Sequence, residues 1–200
     1  MKYLWLALLL SSMLAPQVGG AVALIDDFSD DMPTVYSPAS GSTALPSGLF
    51  SDSRDWSLTH TGTLATFLIF DGILALNSNA NSQGILTLSY NNGSGFDFTP
   101  FGNAFFIEVT DVEPNGVVLT LTVDGSQHSR TIDQPGQVTF LFDDFTGADL
   151  TDVHQVQLEI YSNYQVDSGY RAFGIKVPEP FPLALLTLAS LAALTRRGRG

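Results

Sequence analysis

The 200-residue sequence predicts an all-β protein, an antiparallel sandwich of jelly-roll type, and three observations carry that prediction. Apolar and polar residues alternate with period two in several short segments, as half-buried strands require. Two-residue turn signals such as Asp71-Gly72 and Asp124-Gly125 separate those segments at short intervals. No segment of the central region carries an apolar stripe at helical spacing. Short strands and frequent turns of this kind read as a sandwich.

Taken in chain order, the first element is a targeting segment. Lys2 precedes an apolar run from Leu4 to Leu10, and Pro16, Gly19 and Gly20 break any helix before Ala21-Val22-Ala23. This order predicts a secretory signal, residues 1–23, with Ala21 and Ala23 as the small residues read by signal peptidase and cleavage after Ala23. An uncleaved anchor helix is the alternative, disfavoured by the short run and the breakers.

The body then runs from Leu24 to Lys176. It holds thirteen of the fourteen phenylalanines, four basic residues and nineteen acidic ones, a net charge of −15. Ser29 to Thr63 is rich in Ser, Pro and Gly and reads as a long surface crossover with one or two short strands, one of them at Trp56 to Thr59. Strands are predicted at Leu64 to Phe70, Ile73 to Leu76, Ile85 to Tyr90 and Ala104 to Thr110. In the next, Val117, Leu119, Leu121 and Val123 share one face, and Val138, Phe140 and Phe142 repeat the pattern. A single helical turn is expected at Asp149 to Val153, capped by Asp149 or Thr151. Val156, Leu158 and Ile160 alternate with Gln155, Gln157 and Glu159, and a last strand covers Ala172 to Val177.

The final segment is residues 177–200. Val177-Pro178-Glu179-Pro180 cannot continue a helix or donate regularly to a sheet, so it reads as an extended linker. Phe181 to Leu194 is apolar all round, and Arg196, Arg197 and Arg199 follow it. Counted from Pro178 to Thr195, a helix would span about 27 Å, close to the hydrocarbon thickness once arginine snorkelling is allowed. A single transmembrane helix with its basic end in the cytoplasm is the reading; a terminal core helix is the alternative, opposed by the lack of a polar face.

Val177 to Pro180, the Leu/Ala-rich segment and the arginine-rich end together resemble the PEP-CTERM sorting signal of Gram-negative bacteria, over about the last 24 residues of the sequence. The resemblance implies an exosortase as processing partner, a transient inner-membrane anchor, and delivery to the cell surface or an extracellular polysaccharide matrix. Phe181 and Pro182 depart modestly from the pattern. The body is also similar to a recurrent class of exported PEP-CTERM proteins with a jelly-roll body. It shares Ile25-Asp26-Asp27-Phe28, Arg54-Asp55, and Phe142-Asp143-Asp144-Phe145 leading to Gly147 and Asp149. That class has no assigned activity.

Charge and composition exclude several functions. A net charge of −12 opposes phosphate-backbone binding, so nucleic acid is not an expected partner. The absence of cysteine removes disulfides, thiolate metal sites and a cysteine nucleophile. Gly93-Ser94-Gly95 lacks the spacing of a serine-hydrolase elbow, and no glycine-rich loop opens a helix. His60, His128 and His154 lack metal-ligand spacing, and Glu108, Glu113 and Glu159 show no pattern of a glycosidase pair.

Two binding readings remain. Trp56, Tyr161, Tyr164 and Tyr170 are candidate glycan-stacking rings, the tyrosines lying beside Asn163, Gln165 and Asp167; rings packed inward with wet hydroxyls are the alternative. Asp26, Asp27 and Asp143 are candidate ligands for a structural calcium, since similar jelly rolls often hold one near the first strand; solvated acidic loops are the alternative. No other cofactor is indicated. The sequence therefore reads as a noncatalytic exported surface or matrix protein associated with exopolysaccharide, with a lectin-like carbohydrate-binding module as the rival.

Overall fold

The structure, a computed structural model, describes residues 22–45, 48–113 and 116–176. The expected signal segment up to Ala21, the sorting motif Val177 to Pro180, the transmembrane helix and Arg196, Arg197 and Arg199 lie outside the described residues. Among the described residues, no helix is long and apolar enough to cross a membrane.

Val22–Val177 form one compact unit. Among the described residues, thirteen strands build it: β1 (Val22–Asp26), β2 (Met32–Tyr36), β3 (Ala39–Ala44), β4 (Ser53–Thr61), β5 (Ala65–Phe70), β6 (Ile73–Ser78), β7 (Gln83–Phe96), β8 (Ala104–Val112), β9 (Val117–Val123), β10 (Ser126–Ile132), β11 (Gly136–Leu141), β12 (Val153–Ser162) and β13 (Asp167–Lys176). They form two antiparallel sheets. The seven-stranded sheet runs β11-β8-β13-β6-β5-β2, with β1 added beside β13; the six-stranded sheet runs β10-β9-β12-β7-β4-β3. From β10 to β13 the chain crosses between the sheets at every connection, in the manner of a jelly roll.

Period-two alternation builds the core. Leu119, Leu121 and Val123 of β9 face Phe105, Ile107 and Phe173 of the other sheet within one buried cluster. Phe105 is its centre, with Phe98, Phe142, Phe145 and Phe173 within 6.4 Å between ring centroids. The turns do what the sequence asks. Asp71 and Gly72, and Asp124 and Gly125, all have positive φ, the geometry of a two-residue type I′ hairpin.

Two expectations are corrected. Ser29 to Thr63 is not a crossover with one or two short strands: it contains three, β2, β3 and the nine-residue β4. The helical turn expected at Asp149 is absent; the 3-10 turn is instead Phe142–Asp144, where Asp144 Oδ2 accepts the Leu141 N–H at 3.0 Å. Asp149 closes a tighter loop by accepting the Thr151 N–H and hydroxyl. In addition, β1 begins at Val22, so Val22 and Ala23 pair with Lys176 and Ile175 and the sheet starts two residues before Leu24.

Candidate functional site

The outer face of the six-stranded sheet is an ordered polar surface. Strand phase dictates it: inward residues of β7, β9 and β12 are Leu, Val, Ile and Tyr90, with Gly84 and Ser162 at one end, so their neighbours in sequence point out. Register then aligns these neighbours in rows across the strands. One row is Gln127, Thr122, Gln157, Ser89, Asp55 and Ser42; the next is Ser129, Thr120, Glu159, Thr87, Ser57 and Ser40. A third sets Tyr161 between Val118 and Ile85.

The side chains hold one another in place. Gln157 Nε2 donates to Ser89 Oγ at 3.3 Å, Gln155 Nε2 to Asn91 Oδ1 at 3.1 Å, and Asn91 Nδ2 to Asp55 Oδ2 at 3.4 Å. At the far end, Thr61 and Asn163 bracket Gln83 at 3.0 and 3.3 Å. Gln157, Glu159, Tyr161, Thr87 and Ser89 are half-buried in this layer. The described outward positions of these rows include acids, Asp55 and Glu159, and no lysine or arginine. Such a face can present a ring, two aliphatic side chains and a lattice of amides and hydroxyls to a flat polar ligand.

Of the four rings expected to form one stacking surface, the structure brings only Tyr161 and Tyr164 to the same stretch. Tyr161 lies on the outer face and Tyr164 is 48% exposed in the following loop. Trp56 and Tyr170 are corrected. Trp56 shares the inward phase of β4 with Arg54 and Leu58, packs edge-on against Phe67 at 5.1 Å, and lies under Gly41 of β3. Tyr170 is 1% exposed and belongs to the core, and its burial holds the phenol well above its ordinary pKa.

The aspartates proposed for calcium do not converge. Among the described residues, no three His, Asp or Glu side chains stand where they could hold one ion. Asp26 has a different partner. Arg54 Nη1 donates to its Oδ2 at 2.6 Å, the Tyr90 hydroxyl donates to the same oxygen at 2.8 Å, and the Phe28 N–H donates to Oδ1 at 2.8 Å. Arg54 Nη2 also reaches Asp30 at 2.7 Å, and the guanidinium lies 5.7 Å from the Phe28 ring centroid. Both side chains of the Arg54–Asp26 pair are wholly buried. Burial raises the Asp26 carboxyl above its ordinary value despite the opposing pull of Arg54. Burial, with the Asp26 charge beside it, also pushes the Tyr90 hydroxyl far up. Asp27 instead accepts the Ser29 N–H, and Asp143 sits in the 3-10 turn.

Two of the sequence motifs thus meet in space. Ile25-Asp26-Asp27-Phe28 and Arg54-Asp55 are joined by a buried ion pair, which makes them parts of the fold. The third, Phe142 to Phe145, wedges two rings against Phe105 while Asp144 accepts from Arg130 at 3.2 Å. Glu108 and Glu159 point from the outer faces of different sheets, so they do not flank a common substrate. His60, His128 and His154 stay apart on β4, β10 and β12.

No family model matches the chain, and neither does any curated protein. Among solved structures, the chain is similar to the family 11 carbohydrate-binding module of the cellulosomal cellulase Lic26A-Cel5E of Clostridium thermocellum. Identity is 12% over 80% of this chain and 97% of that one, with a TM-score of 0.41. The family 30 carbohydrate-binding module of Cel9D-Cel44B from the same organism gives 16% identity, 80% and 99% coverage and a TM-score of 0.39. An exo-beta-agarase is similar over 79% of this chain and 25% of its own, at 11% identity and a TM-score of 0.42.

Proposed function

We propose that the body is a noncatalytic polysaccharide-binding module of an exported protein, with the outer face of the six-stranded sheet as its binding surface. The observation that supports this best is the cross-strand network of Gln157, Ser89, Gln155, Asn91 and Asp55 on the face that also carries Tyr161. Amides already tied to their neighbours lose little rotamer freedom when a ligand arrives, so their hydrogen bonds contribute more of their energy to affinity. Tyr161, flanked by Val118 and Ile85, offers a ring and an apolar strip on which a sugar ring can lie. With Asp55 and Glu159 on the face and a body of net charge −15, a neutral polymer fits and an acidic one is repelled.

The sorting segment completes the proposal. Signal peptidase removes the N-terminal segment, the C-terminal helix holds the protein transiently in the inner membrane, and an exosortase acts at Val177 to Pro180. The product resides at the surface or in the extracellular matrix of a Gram-negative bacterium. What supports this is the ordered sequence of Pro-Glu-Pro, apolar run and arginines.

Affinity electrophoresis of the protein through gels containing single neutral polysaccharides tests the binding surface. Tyr161→Ala and Gln157→Ala should each weaken retardation, Tyr161→Ala by about five- to tenfold if stacking contributes about 1–1.4 kcal/mol. Phe70→Ala, an exposed ring of the other sheet, should change nothing. Retardation insensitive to both outer-face variants would overturn the assignment.

A further inference from the structure

We propose that β3 is a docking edge for an extended basic peptide, which adds to the six-stranded sheet as a further strand. The two sheets end side by side at β2 and β3, and the two edges differ. β2 is blunted by Pro33 and by a register slip between Met32 and Val35. β3 pairs with β4 without a slip over all six residues, Ala39 to Ala44, and its sequence Ala-Ser-Gly-Ser-Thr-Ala contains no proline and no charge. Nothing in that strand carries the usual protection of an exposed edge.

Hydrogen-bond phase shows which groups are on offer. Leu45 N–H donates to Asp52 C=O at 2.8 Å, in the same register that pairs Thr43 with Arg54 and Gly41 with Trp56. Antiparallel alternation then turns the N–H and C=O groups of Ser40, Ser42 and Ala44 away from β4. All three residues are exposed. The edge is also firmly seated: a Cβ on Gly41 would fall 2.5 Å from Trp56 Cζ2, so the strand lies directly on the indole. An incoming strand meets a preformed template and has only its own ordering to offset.

Charge selects the occupant. Asp55 stands next to Ser42 on the outer face, exposed, and Asp52 flanks the strand's end. A residue placed opposite Ser42 on an added strand would be about two strand spacings, roughly 10 Å, from Asp55. Ser42 between them is small enough for a lysine or arginine stem to cross. A second copy of this chain would bring a further net −12 and another Asp55 to the same edge, so a basic segment is the favoured partner.

The test uses the full chain and a labelled peptide alternating threonine and lysine, followed by fluorescence anisotropy. Binding should be saturable, weaken as salt is raised, and vanish when glutamate replaces lysine. Asp55→Asn should weaken it roughly two- to fivefold. Ser42→Pro, which removes an outward N–H where an edge strand tolerates proline, should weaken it at least about tenfold. Peptides N-methylated at alternate amides give a readout that needs no variant: one methylation phase should abolish binding and the other leave it intact. Equal binding of both phases, or no saturable binding, would overturn the proposal. So would self-association of the chain that Ser42→Pro removes, since the edge would then belong to a second copy.

Discussion

Replacing Arg54 by Met is the most direct test of the buried ion pair. Methionine retains most of the length and apolar volume of the arginine stem, so the change removes charge and hydrogen bonds while leaving little void. What remains is Asp26, with its side chain fully buried and only the Phe28 N–H and Tyr90 hydroxyl as donors. Removing one partner of a buried pair typically costs about 3–5 kcal/mol, because the surviving charge has lost its compensation. Against a total stability of about 5–15 kcal/mol this is a large fraction. For a body of this size it corresponds to a melting temperature lower by about 6–20 °C.

The double variant Asp26→Asn/Arg54→Met should recover most of the loss, since neither charge is then buried and the Asn oxygen can still accept from Phe28 N–H. The deficit also has a predicted pH dependence. Asp26 titrates higher in the folded chain than its ordinary 3.8, so the folded state binds its proton more readily than the unfolded state. Stability from this group is therefore full below the ordinary value and falls as pH rises through the folded value. Loss of Arg54 widens that window, so the Arg54→Met deficit should shrink as pH is lowered from neutral towards about 4. Circular-dichroism melting of the wild-type, single and double variants at several pH values reads all of this. A single-variant loss below about 1 kcal/mol, or a double variant no better than the single, would refute a charged, energetically coupled pair.

Two further outcomes follow from other parts of the molecule. Asp167 is raised by burial and by the negative charges of Glu113 and Asp111, so Glu113→Gln should raise the melting temperature slightly at low salt, by a few tenths of a kcal/mol, and not at all at high salt. Replacing Glu179 and both flanking prolines should leave the body's melting unchanged yet trap unprocessed chain in the inner membrane of a host with the sorting enzyme; normal release on fractionation would remove the exosortase assignment.

Most strands after Leu64 were legible because they bury one face against the opposite sheet. Alternation in Val117 to Val123 or Val156 to Ile160 is a direct record of that burial. β2, β3 and β10 bury little, being edges, and Ala-Ser-Gly-Ser-Thr-Ala or Ser-Gln-His-Ser-Arg-Thr-Ile has no apolar side to betray a strand. β4 was obscured for another reason: its inward phase holds Arg54, Trp56 and His60 around a single Leu58, which reads as polar surface. The same phase, taken from Leu58, would have placed Trp56 indoors and withdrawn it from the stacking set. Tyr170 was harder, because register shifts on either side of it break the count from Phe173. The Arg54–Asp26 contact spans 28 positions and has no local signal; only an arginine in an inward phase pointed towards a buried acid.

The inner ion pair and the outer platform are built from consecutive residues of the same two strands. Arg54 and Tyr90 face inward and are cross-strand neighbours on β4 and β7; Asp55, Ser89 and Asn91, each one step away in sequence, face outward and are joined by register and hydrogen bonds. A one-residue slip of β4 against β7 would therefore do two things at once. It would push the guanidinium out of a site where it has charged partners, and it would turn the platform's Asp55 carboxylate into the core. A leucine at position 54 would fill the space but would accept several registers, since apolar contacts lack direction. A buried arginine answering Asp26 and Asp30 through one short bond to each discriminates among registers in a way that packing alone does not. On this argument the charge is kept inside to fix the alignment of the outer rows on which recognition depends, and its energetic cost is offset by that specificity rather than by added stability.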